Sequence, residues 1–553
     1  MKNVAYHLRR FAESQPGQIA VVEPRGYKNG KRQYKTMSFR ELDEDSDRIA
    51  HGLHEMGVRR GTRIALLVRP GVDFVSSVFG CLKSGAVMIL IDPGMGKRNL
   101  ISCLEEARPQ GFLAISAVQA LWRFMRLRFP EAEYHLTVGR RWFWGGPTLA
   151  GLRKKPYPGA FMEEVSEEDP AAIIFTTGST GPPKGVLYEH KTFNAQVQQI
   201  AQEYGIQAGQ TDLPGFPMFG LFNCAMGSTA VIPDMDASRP ASVNPKNILE
   251  AARDWNVTQS FGSPTIWKVV SRWCLENHTR LEQIKMILSA GAPVQEPVLR
   301  SVKAIIHPEG EIHTPYGATE ALPVATISAS EVLAETAEKS RHGAGVCVGR
   351  KFSGIQWKVI QITDEAIPEL SEVQELPEGE IGELIVSGPQ VTREYVTRVE
   401  VNALAKIYDP QTGAVWHRMG DVGYLDAQQR FWFCGRKAHR VQAEAKTFFS
   451  IPVEAIFNEH PSVVRSALVG VKKEVDGKTK MVPVIIIEPK DPQVCRDAKK
   501  REKLRKELME VGGQNDLTRD VNVILFHPSF PVDIRHNAKI FREKLADWAA
   551  KEI

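Results

Sequence analysis

Alternating apolar and polar segments in the first hundred residues predict helices and strands in turn. Ser38 and Glu41 have the spacing of a capping box, in which each side chain accepts from the backbone N–H of the other residue. Residues 63–68 and 86–91 are apolar runs typical of buried strands, and a helical pattern at 74–83 lies between them. This alternation predicts a parallel sheet that is covered on both faces.

The same alternation returns at Ala172, so we predict two α/β layers in the first part of the chain. Weaker strand patterns at 355–362 and 380–387 predict a β-rich subdomain. Two further strand patterns, at 463–471 and 481–488, precede a charged helix and predict a small α+β domain. The predicted fold class is α/β, divided into a large N-terminal domain over 1–435, a hinge at 436–440 and a small C-terminal domain over 441–553.

Composition is that of an ordinary globular protein, with 43% hydrophobic and 24% charged residues. A net charge of +5 over 553 residues is too dilute to indicate a nucleic acid partner. The sequence shows neither an apolar run of about 18 residues, as a transmembrane segment needs, nor a signal peptide. Seven scattered cysteines without a CxxC pair predict free thiols in a reducing, cytoplasmic compartment.

The segment from Leu121 to Phe129 alternates apolar residues with arginines. We interpret it as a solvated helix whose arginines extend along the apolar surface toward water. Contact with lipid or with a partner is the alternative interpretation.

A glycine-rich segment follows the apolar run from Ala172 to Phe175. Residues 176–185 are Thr-Thr-Gly-Ser-Thr-Gly-Pro-Pro-Lys-Gly. Glycine lets backbone N–H groups approach an anion, the hydroxyls add donors, and Lys184 adds a positive charge. The segment differs from a Walker loop because no Ser or Thr follows the lysine and the glycine spacing is different. We interpret it as a polyphosphate cradle rather than a flexible surface loop.

Four further motifs follow this segment in the chain. They are Ala290-Gly-Ala-Pro293, Tyr316-Gly-Ala-Thr-Glu320, Arg418-Met-Gly-Asp421 and Gly435-Arg436. In this order the five motifs resemble those of the adenylate-forming superfamily, which includes acyl-CoA synthetases, luciferases and the adenylation domains of peptide synthetases. The resemblance covers essentially the entire chain. It implies ATP and Mg²⁺ as cofactors and a small C-terminal domain that is mobile.

The resemblance also implies a role for each motif position. The β- and γ-phosphates would be held by Thr176, Thr177, Gly178, Ser179, Thr180, Gly181 and Lys184. The adenosine would be bound by Gly291, Ala292, Pro293, Tyr316, Gly317, Asp421 and Arg436, with Tyr316 stacked on the base and Asp421 on the ribose hydroxyls. Thr319 would contact the α-phosphate, and Glu320 would be the magnesium ligand. Taken singly, Asp421 would more commonly be part of a capped turn after Gly420.

The segment from Pro531 to Ile540 resembles the terminal motif of the superfamily. The resemblance implies that Lys539 lies between the substrate carboxylate and the α-phosphate, where an ammonium neutralises developing charge. Asn537 and Ala538 stand where the family usually has a small hydroxyl residue and a glycine. The alternative is a surface lysine that opens a terminal helix.

Two departures concern the second half-reaction of the thioester-forming members. The hinge position that is usually Asp or Lys is Ala438, and the position of a glycine in the pantetheine-facing loop is Ala445. Ala445 and the adjacent Glu444 would crowd a thiol arm and repel its phosphates. These residues argue against CoA as the acyl acceptor.

Phe219, Gly220 and Phe222 are the predicted substrate-pocket residues. Gly220 stands where the family normally carries an aromatic residue or a histidine. Two interpretations are open. The glycine leaves a void for an acid that is branched at its α-carbon, or a neighbour such as Phe219 or Phe222 fills the space.

At a finer level, the runs 222–227, 231–240 and 313–323 resemble the β-lactone synthetases of bacterial long-chain olefin biosynthesis. The resemblance implies activation of a long-chain 2-alkyl-3-hydroxyalkanoic acid as acyl-AMP, followed by attack of its β-hydroxyl to give a β-lactone, AMP and pyrophosphate. It also implies assembly with other enzymes of olefin biosynthesis. The alternatives are an AMP-forming ligase that joins long-chain fatty acids to CoA or an acyl carrier, and a non-catalytic nucleotide-binding scaffold.

The base that removes the hydroxyl proton is not identified by the sequence. His439, just beyond the hinge, is a base by residue type. A structural or exposed histidine is the alternative for this position, and a phosphate oxygen of AMP could take the proton instead.

Overall fold

The structure, a computed structural model, describes residues 2–176, 181–444, 446–475, 478–532 and 540–553. Some positions that the sequence analysis singles out lie outside the described residues. They are Thr177, Gly178, Ser179, Thr180, Ala445, Asn537, Ala538 and Lys539.

Helices and strands alternate through most of the described chain. The helices are α1 (Tyr6–Ser14), α2 (Phe39–Glu55), α3 (Val72–Lys83), α4 (Lys97–Ala107), α5 (Ser116–Met125), α6 (Leu149–Lys154), α7 (His190–Tyr204), α8 (Phe219–Ala225), α9 (Pro245–Asp254), α10 (Pro264–Glu276), α11 (Glu296–Lys303), α12 (Ala329–Glu331), α13 (Ala337–Arg341), α14 (Asn402–Ala405), α15 (Ser450–Asn458), α16 (Ala498–Gly513) and α17 (Arg542–Glu552). The strands are β1 (Ile19–Lys28), β2 (Lys31–Ser38), β3 (Arg63–Leu67), β4 (Val87–Leu90), β5 (Gly111–Ile115), β6 (Tyr134–Val138), β7 (Pro170–Phe175), β8 (Gly185–Glu189), β9 (Thr211–Pro214), β10 (Thr229–Val231), β11 (Gln259–Gly262), β12 (Met286–Ser289), β13 (Glu311–His313), β14 (Tyr316–Ala318), β15 (Ala321–Thr326), β16 (Val346–Cys347), β17 (Arg350–Lys351), β18 (Gln356–Ile360), β19 (Gly382–Ser387), β20 (Lys406–Tyr408), β21 (Val415–Leu425), β22 (Phe431–Arg436), β23 (Val441–Gln442), β24 (Thr447–Phe448), β25 (Val463–Val475), β26 (Lys478–Pro489) and β27 (Val523–Phe526).

Two large sheets form the first part of the chain. One has six strands in the order β6-β5-β3-β4-β7-β8, and its pairs are parallel apart from β7 with β8. The other has the order β13-β12-β11-β9-β10-β1-β2 and is parallel apart from β1 with β2. The two predicted α/β layers are thus confirmed. Because neighbouring strands are parallel, the loops at their carboxyl ends share one edge of each sheet.

Local signals placed the first elements correctly. The Ser38 hydroxyl accepts from the Glu41 N–H at 3.3 Å, and the Glu41 carboxylate accepts from the Ser38 N–H at 2.7 Å, so the predicted capping box begins α2. Leu42 and Ile49 on α2 are fully buried in the first core, as their helical spacing predicts. The predicted strands at 63–68 and 86–91 are β3 and β4.

The predicted β-rich subdomain contains two sheets, with the orders β14-β15-β17 and β16-β22-β21-β19-β18, and β20 pairs with β21. The C-terminal part contains the sheet β25-β26-β27 and its own hydrophobic clusters. Its two predicted strands are β25 and β26, and the predicted charged helix is α16. The domain boundaries at 435 and 441 stay a prediction.

The scattered cysteines are mostly buried side chains without disulfide partners. All seven are free, and six of them are buried. Across the described ranges, no helix combines the length and the apolar character that crossing a bilayer requires.

Asp212 on β9 is a buried acid with an unusual proton affinity. Asn223 on α8 donates its side-chain N–H to Asp212 Oδ2 at 2.7 Å, but burial raises the pKa of Asp212 to about 7. Between the ordinary pKa of 3.8 and about 7, the folded state binds more protons than the unfolded state. Stability from this group is therefore complete below about pH 4, declines as pH rises from about 4 to about 7, and is lost above that range.

Replacing Asp212 by Asn is expected to remove this pH dependence, because the amide keeps an acceptor for Asn223 and carries no charge. The thermal unfolding midpoint of Asp212→Asn should exceed that of the wild type by more at pH 8 than at pH 5. Equal differences at the two pH values would contradict the assignment. Asp234→Asn is the control, because the side chain of Asp234, which pairs with Arg32, is half exposed.

Candidate active site

A tight hairpin carries two of the predicted catalytic residues. Strands β14 and β15 are antiparallel, Ala318 lies opposite Ala321, and Thr319 and Glu320 form the turn between them. A Cβ atom at Gly317 would lie 2.6 Å from the carbonyl oxygen of Ala321. Glycine is therefore required where the two strands approach, and the turn holds its two residues in place.

The hairpin turn is anchored from two directions. Tyr188 donates its hydroxyl to the carbonyl oxygen of Thr319 at 2.6 Å. The N–H and the hydroxyl of Thr392 donate to the carbonyl oxygen of Glu320 at 2.9 and 3.0 Å. Tyr395 donates its hydroxyl to Oε1 of Glu320 at 2.5 Å. Burial, followed by the Glu320 charge, raises the pKa of Tyr395, so the phenol keeps its proton and remains a donor.

Two lysines lie against the ring of Tyr395. Nζ of Lys184 is 5.0 Å from the ring centroid and Nζ of Lys406 is 5.7 Å from it. Lys406 also donates to the carbonyl oxygen of Thr392 at 2.5 Å, and burial lowers its pKa to about 7. Tyr395 reaches this position because it forms a β-bridge with Val186 on β8. A carboxylate, a phenol and two amines therefore form one cluster beside the glycine-rich segment.

The described ends of the glycine-rich segment meet. The N–H of Thr176 donates to the carbonyl oxygen of Lys184 at 3.0 Å, and the N–H of Lys184 donates to Oγ1 of Thr176 at 3.1 Å. Phe175 and Gly185 pair across β7 and β8 directly behind them. The segment, to which Gly181 also belongs, is thus the connection of a β-hairpin.

A second cluster joins the hairpin of β14 and β15 to β21 and β22. Tyr316 donates its hydroxyl to Oδ2 of Asp421 at 2.5 Å, and Nη1 of Arg436 donates to Oδ1 at 2.7 Å. Asp421 and Arg436 are cross-strand partners. The Asp421 charge raises the pKa of Arg436, and burial followed by that charge raises the pKa of Tyr316. Because a carboxylate has about four acceptor positions, Asp421 can still accept from a ligand that carries two hydroxyls.

Sheet topology brings residues 291–293 to the side of Tyr316. Leu288 on β12 pairs with His313 on β13 in parallel. Gly291, Ala292 and Pro293 follow β12, and Tyr316 follows β13, so both segments leave the same edge of the sheet. Gly291 has a φ of +94°, which favours glycine at this turn.

The two clusters are electrostatically connected. The Glu320 charge contributes to the raised pKa of Arg436, and the Arg436 charge partly offsets the raised pKa of Tyr395. The hairpin of β14 and β15 links them covalently. The structure therefore brings together these predicted site residues: Thr176, Lys184, Tyr316, Gly317, Thr319, Glu320, Asp421 and Arg436.

Sequence reasoning missed Tyr395, Thr392 and Lys406. Residues 390–397 carry no glycine-rich or charged motif, and their role follows from pairing with β8 and the hairpin turn. One signal was available: Lys406 lies between the apolar residues Ala405 and Ile407, and His417 follows the apolar pair Val415-Trp416. Lys406 and His417 are cross-strand partners on β20 and β21, and burial followed by Lys406 lowers the pKa of His417 far below its ordinary value.

Aromatic rings form a continuous wall from β11 to the hairpin turn. Phe261 stacks on Phe219, with 3.6 Å between ring centroids and 11° between planes. Phe219 lies 5.6 Å from Phe222, which lies 6.2 Å from Phe193. Phe193 lies 5.1 Å from Tyr188, the residue that binds the turn. Two predicted pocket residues therefore belong to this wall, and Phe261 and Phe193 extend it.

At Gly220, helix α8 packs closely against helix α3. A Cβ atom there would lie 3.2 Å from Cγ2 of Val75 on α3. Apart from Phe219, Leu221 and the nearby backbone of α8, this is the only described atom within 4 Å, so the side chain of Phe222 does not fill the space. A neighbour therefore lies in the direction of this Cβ bond, as the second interpretation expects, but it is Val75 on α3, which that interpretation did not name.

In the segment 436–440, the predicted hinge, His439 lies against the C-terminal helix α17. Nε2 of His439 is 3.4 Å from Oε1 of Glu543, and its ring is largely buried, which excludes an exposed histidine. Burial, followed by the charge of Arg542, lowers the pKa of His439 to about 4. His439 is therefore neutral and weakly basic at neutral pH. Ala438 lies beside it in a single turn of 3₁₀ helix.

A magnesium ion at this site would need ligands from the substrate and water in addition to those of the described side chains. Within the described part of the chain, no cluster of three or more His, Cys, Asp or Glu side chains could hold a metal ion. Glu320 supplies one carboxylate at the junction of the two clusters. One carboxylate together with substrate phosphates and water is an ordinary magnesium environment.

Comparison with known proteins gives this arrangement a family. An olefin beta-lactone synthetase from Xanthomonas campestris pv. campestris is 43% identical over 100% of this chain and 98% of its own length. One from Stenotrophomonas maltophilia is 41% identical over the same shares. An amide bond synthetase from Marinactinospora thermotolerans has the same fold, with a TM-score of 0.77 over 99% of both chains and 20% identity. An o-succinylbenzoate coenzyme A synthetase from Bacillus subtilis, in complex with ATP and magnesium ion, also has this fold. Its TM-score is 0.71 over 98% of both chains, with 20% identity.

These likenesses agree with the two clusters on the hairpin and with the order of the five sequence motifs. A model of the AMP-binding enzyme family matches residues 8–396, which include the glycine-rich segment, the hairpin turn and Tyr395. The chain belongs to the AMP-binding enzyme family.

Proposed function

We propose that the protein uses ATP to activate a long-chain 2-alkyl-3-hydroxyalkanoic acid and then closes it to a β-lactone. The observation that carries the proposal is the hairpin of β14 and β15. It places Tyr316 beside the Asp421–Arg436 pair and Glu320 beside Tyr395 and Lys184. The two full-length relatives that are named olefin beta-lactone synthetases support the ring-closing step.

In the first step, the substrate carboxylate attacks the α-phosphorus of ATP, and pyrophosphate leaves. The segment from Thr176 to Lys184 would hold the β- and γ-phosphates, and Thr319 would donate to the α-phosphate. Tyr316 and residues 291–293 would bind the base, while Asp421 and Arg436 would bind the ribose. Donors fixed before the reaction stabilise the charge that develops on pyrophosphate.

Glu320 would hold the magnesium ion, which neutralises phosphate charge when it is bound. Tyr395 positions this carboxylate, because its hydroxyl occupies Oε1 and leaves Oε2 to face a ligand. Lys184 adds positive charge at the same place, and Lys406, whose pKa burial lowers to about 7, is only partly protonated at neutral pH.

Lys539, which lies outside the described residues, would stabilise the pentavalent transition state as a point charge. Lys539→Ala is expected to lower the rate of pyrophosphate release by about 10²-fold or more. Pyrophosphate should be measured with ATP, magnesium and the hydroxy acid. Lys544→Ala, which alters a lysine of the same terminal segment that contacts Phe541, is the control. An unchanged rate in Lys539→Ala would show that this lysine is misassigned.

In the second step, the β-hydroxyl of the activated acid attacks its own acyl carbon, and AMP leaves with the electrons of the broken C–O bond. Holding the two groups in one molecule supplies an effective concentration of about 10⁵ M or more. The aromatic wall from Phe261 to Tyr188 supports this step, because apolar rings limit hydrolysis of the acyl-AMP by water.

The hydroxyl proton would pass to a phosphate oxygen of the departing AMP. His439 is a poor candidate because burial and Arg542 lower its pKa to about 4. An intramolecular reaction also needs no thiol channel, which agrees with Ala438 at the hinge.

One experiment separates this reaction from its nearest alternative, an AMP-forming ligase of long-chain fatty acids with CoA or an acyl carrier. The protein is mixed with ATP, magnesium and a synthetic 2-alkyl-3-hydroxy acid, with and without CoA, and the products are identified by NMR. A four-membered lactone formed without thiol is expected. If the only product is a thioester that requires CoA, the protein is an AMP-forming ligase and the proposed ring closure is wrong.

We also propose assembly with enzymes that make the hydroxy acid and consume the lactone, since a strained lactone hydrolyses in free solution. The free cysteines support a cytoplasmic location, where thiols stay reduced.

A further inference from the structure

One surface of the first α/β layer exposes large apolar side chains at unusual density. Between residues 121 and 143, five such side chains are 53 to 90% exposed. We call them the apolar face: Leu121, Phe124, Leu127, Trp142 and Phe143. A contiguous exposed apolar patch on a folded protein marks an interaction site. The predicted solvated helix is present as α5 and the turn of 3₁₀ helix that follows it, and its apolar residues as well as its arginines face the solvent.

The apolar face is built from two segments that are held together. Rings of Phe124, near the end of α5, and Phe143 lie 6.3 Å apart. The hydroxyl of Ser116, the first residue of α5, donates to the carbonyl oxygen of Arg140 at 2.5 Å. Next to Phe143, Trp144 is buried and donates its ring N–H to Thr137 at 3.0 Å. The exposed rings are thus fixed by a buried anchor.

Exposed arginines are interspersed along the chain with the residues of the apolar face. Residues 121–143 contain five arginines and two glutamates, an excess of three positive charges. Of the five, only Arg128 forms an ion pair within the described structure, with Glu105. Arg123 lies over the ring of Trp122, and Arg141 donates to a backbone carbonyl. The remaining guanidinium donors can bind anionic groups outside the protein.

We propose that the apolar face docks on the surface of an anionic phospholipid bilayer. Phenyl, indole and leucine side chains would enter the boundary between headgroups and acyl chains, and arginines 123, 126, 140 and 141 would bind lipid phosphates. Exposed rings interspersed with exposed guanidinium groups supply the two kinds of contact that such a surface offers. The contact is peripheral, because α5 has ten residues and is too short to cross a bilayer.

The position of the face relates the bilayer to the active site. Residues 139–144 follow β6, and the glycine-rich segment follows β7 in the same sheet. Four strand spacings separate β6 from β7, about 20 Å along one edge. Docking would therefore bring the active-site edge close to the lipid surface. If the substrate is the long-chain acid of the proposed function, the bilayer is its reservoir; docking itself does not depend on that assignment.

The test is cosedimentation of the full-length protein with vesicles of phosphatidylcholine alone or mixed with phosphatidylglycerol. Binding to the anionic vesicles that weakens at high salt is expected. The double variant Phe124→Ser/Phe143→Ser should lower the partition coefficient about tenfold or more. Arg123→Gln/Arg126→Gln should lower it about tenfold for anionic vesicles and leave binding to neutral vesicles unchanged.

Leu275→Ser/Val464→Ser is the matched control, because both side chains are exposed by about half at other surfaces. Thermal unfolding and pyrophosphate release verify that each variant is folded. Absence of wild-type binding to anionic vesicles would overturn the proposal. So would equal binding by the Phe124→Ser/Phe143→Ser variant. An oligomer that this variant dissociates would instead identify the face as a contact between copies of the chain and also overturn lipid docking.

Discussion

Glu320→Gln is expected to lower the rate of pyrophosphate release by about 10²- to 10³-fold at saturating ATP. The amide has nearly the shape of the carboxylate and can still accept from Tyr395, so the hairpin turn should remain in place. What it loses is the charge that would hold magnesium beside the phosphates. The rate should be measured over a magnesium titration, in which the variant requires a much higher concentration.

The matched control is Glu394→Gln. Glu394 is exposed, stands next to Tyr395 and contributes to the electrostatic environment of Lys406, as Glu320 does. Its substitution should leave the rate within about twofold, because a solvent-exposed charge has a small effect at a distance. If Glu394→Gln lowers the rate as much as Glu320→Gln does, the loss reflects a general effect of removing negative charge. A specific role of Glu320 would then be contradicted.

Asp421→Asn is expected to raise KM for ATP by about 10- to 100-fold. Hydrogen bonds that involve a charged partner contribute about 1.5–3 kcal/mol each, and this carboxylate is positioned to accept from a ribose. Its two oxygens already accept from Tyr316 and Arg436, so an amide also leaves Arg436 without its ion-pair partner. Because the side chain of Arg436 is 36% exposed, water compensates part of that loss and the protein should remain folded.

The matched variant for Asp421→Asn is Tyr316→Phe, which removes the hydroxyl and keeps the aromatic ring. Its KM for ATP should rise about threefold to tenfold, the effect of one lost hydrogen bond. Initial rates over an ATP series, with the acid held saturating, measure both variants. An unchanged KM in Asp421→Asn, with normal thermal unfolding, would remove Asp421 from the nucleotide site.

Features with local causes were predictable from the sequence. The capping box at Ser38 depends on two residues three positions apart, and the strand before Thr176 depends on a continuous apolar run. The order of the motifs likewise led to Tyr316, Glu320, Asp421 and Arg436 without knowledge of their distances. These residues lie 4 to 120 positions apart along the chain, yet the hairpin and the β21–β22 pair bring them together.

Features that depend on contacts between distant segments were not predictable. Tyr395 binds Glu320 because its segment pairs with β8, and Phe261 extends the aromatic wall because β11 ends next to α8. The occupant of the space beside Gly220 is Val75 on α3, more than a hundred residues earlier in the chain. Residue type alone could not distinguish these partners from many equivalent aromatic and aliphatic residues.

Lys83 illustrates, at a single side chain, the difference between what the sequence predicts and what tertiary contacts decide. A lysine at the end of a helix is ordinarily solvated. The helical pattern at 74–83 gives no sign that the side chain of Lys83 is buried. In the structure it is fully buried, with Nζ 2.6 Å from Asp43 and 2.7 Å from Asp47. The sequence by itself determined the helices, the strands and the chemical types at the active site, because those depend on near neighbours in the chain. Only the tertiary structure decided which charges are paired, which rings adjoin the turn and which apolar residues stay exposed, because burial depends on segments that meet only after folding.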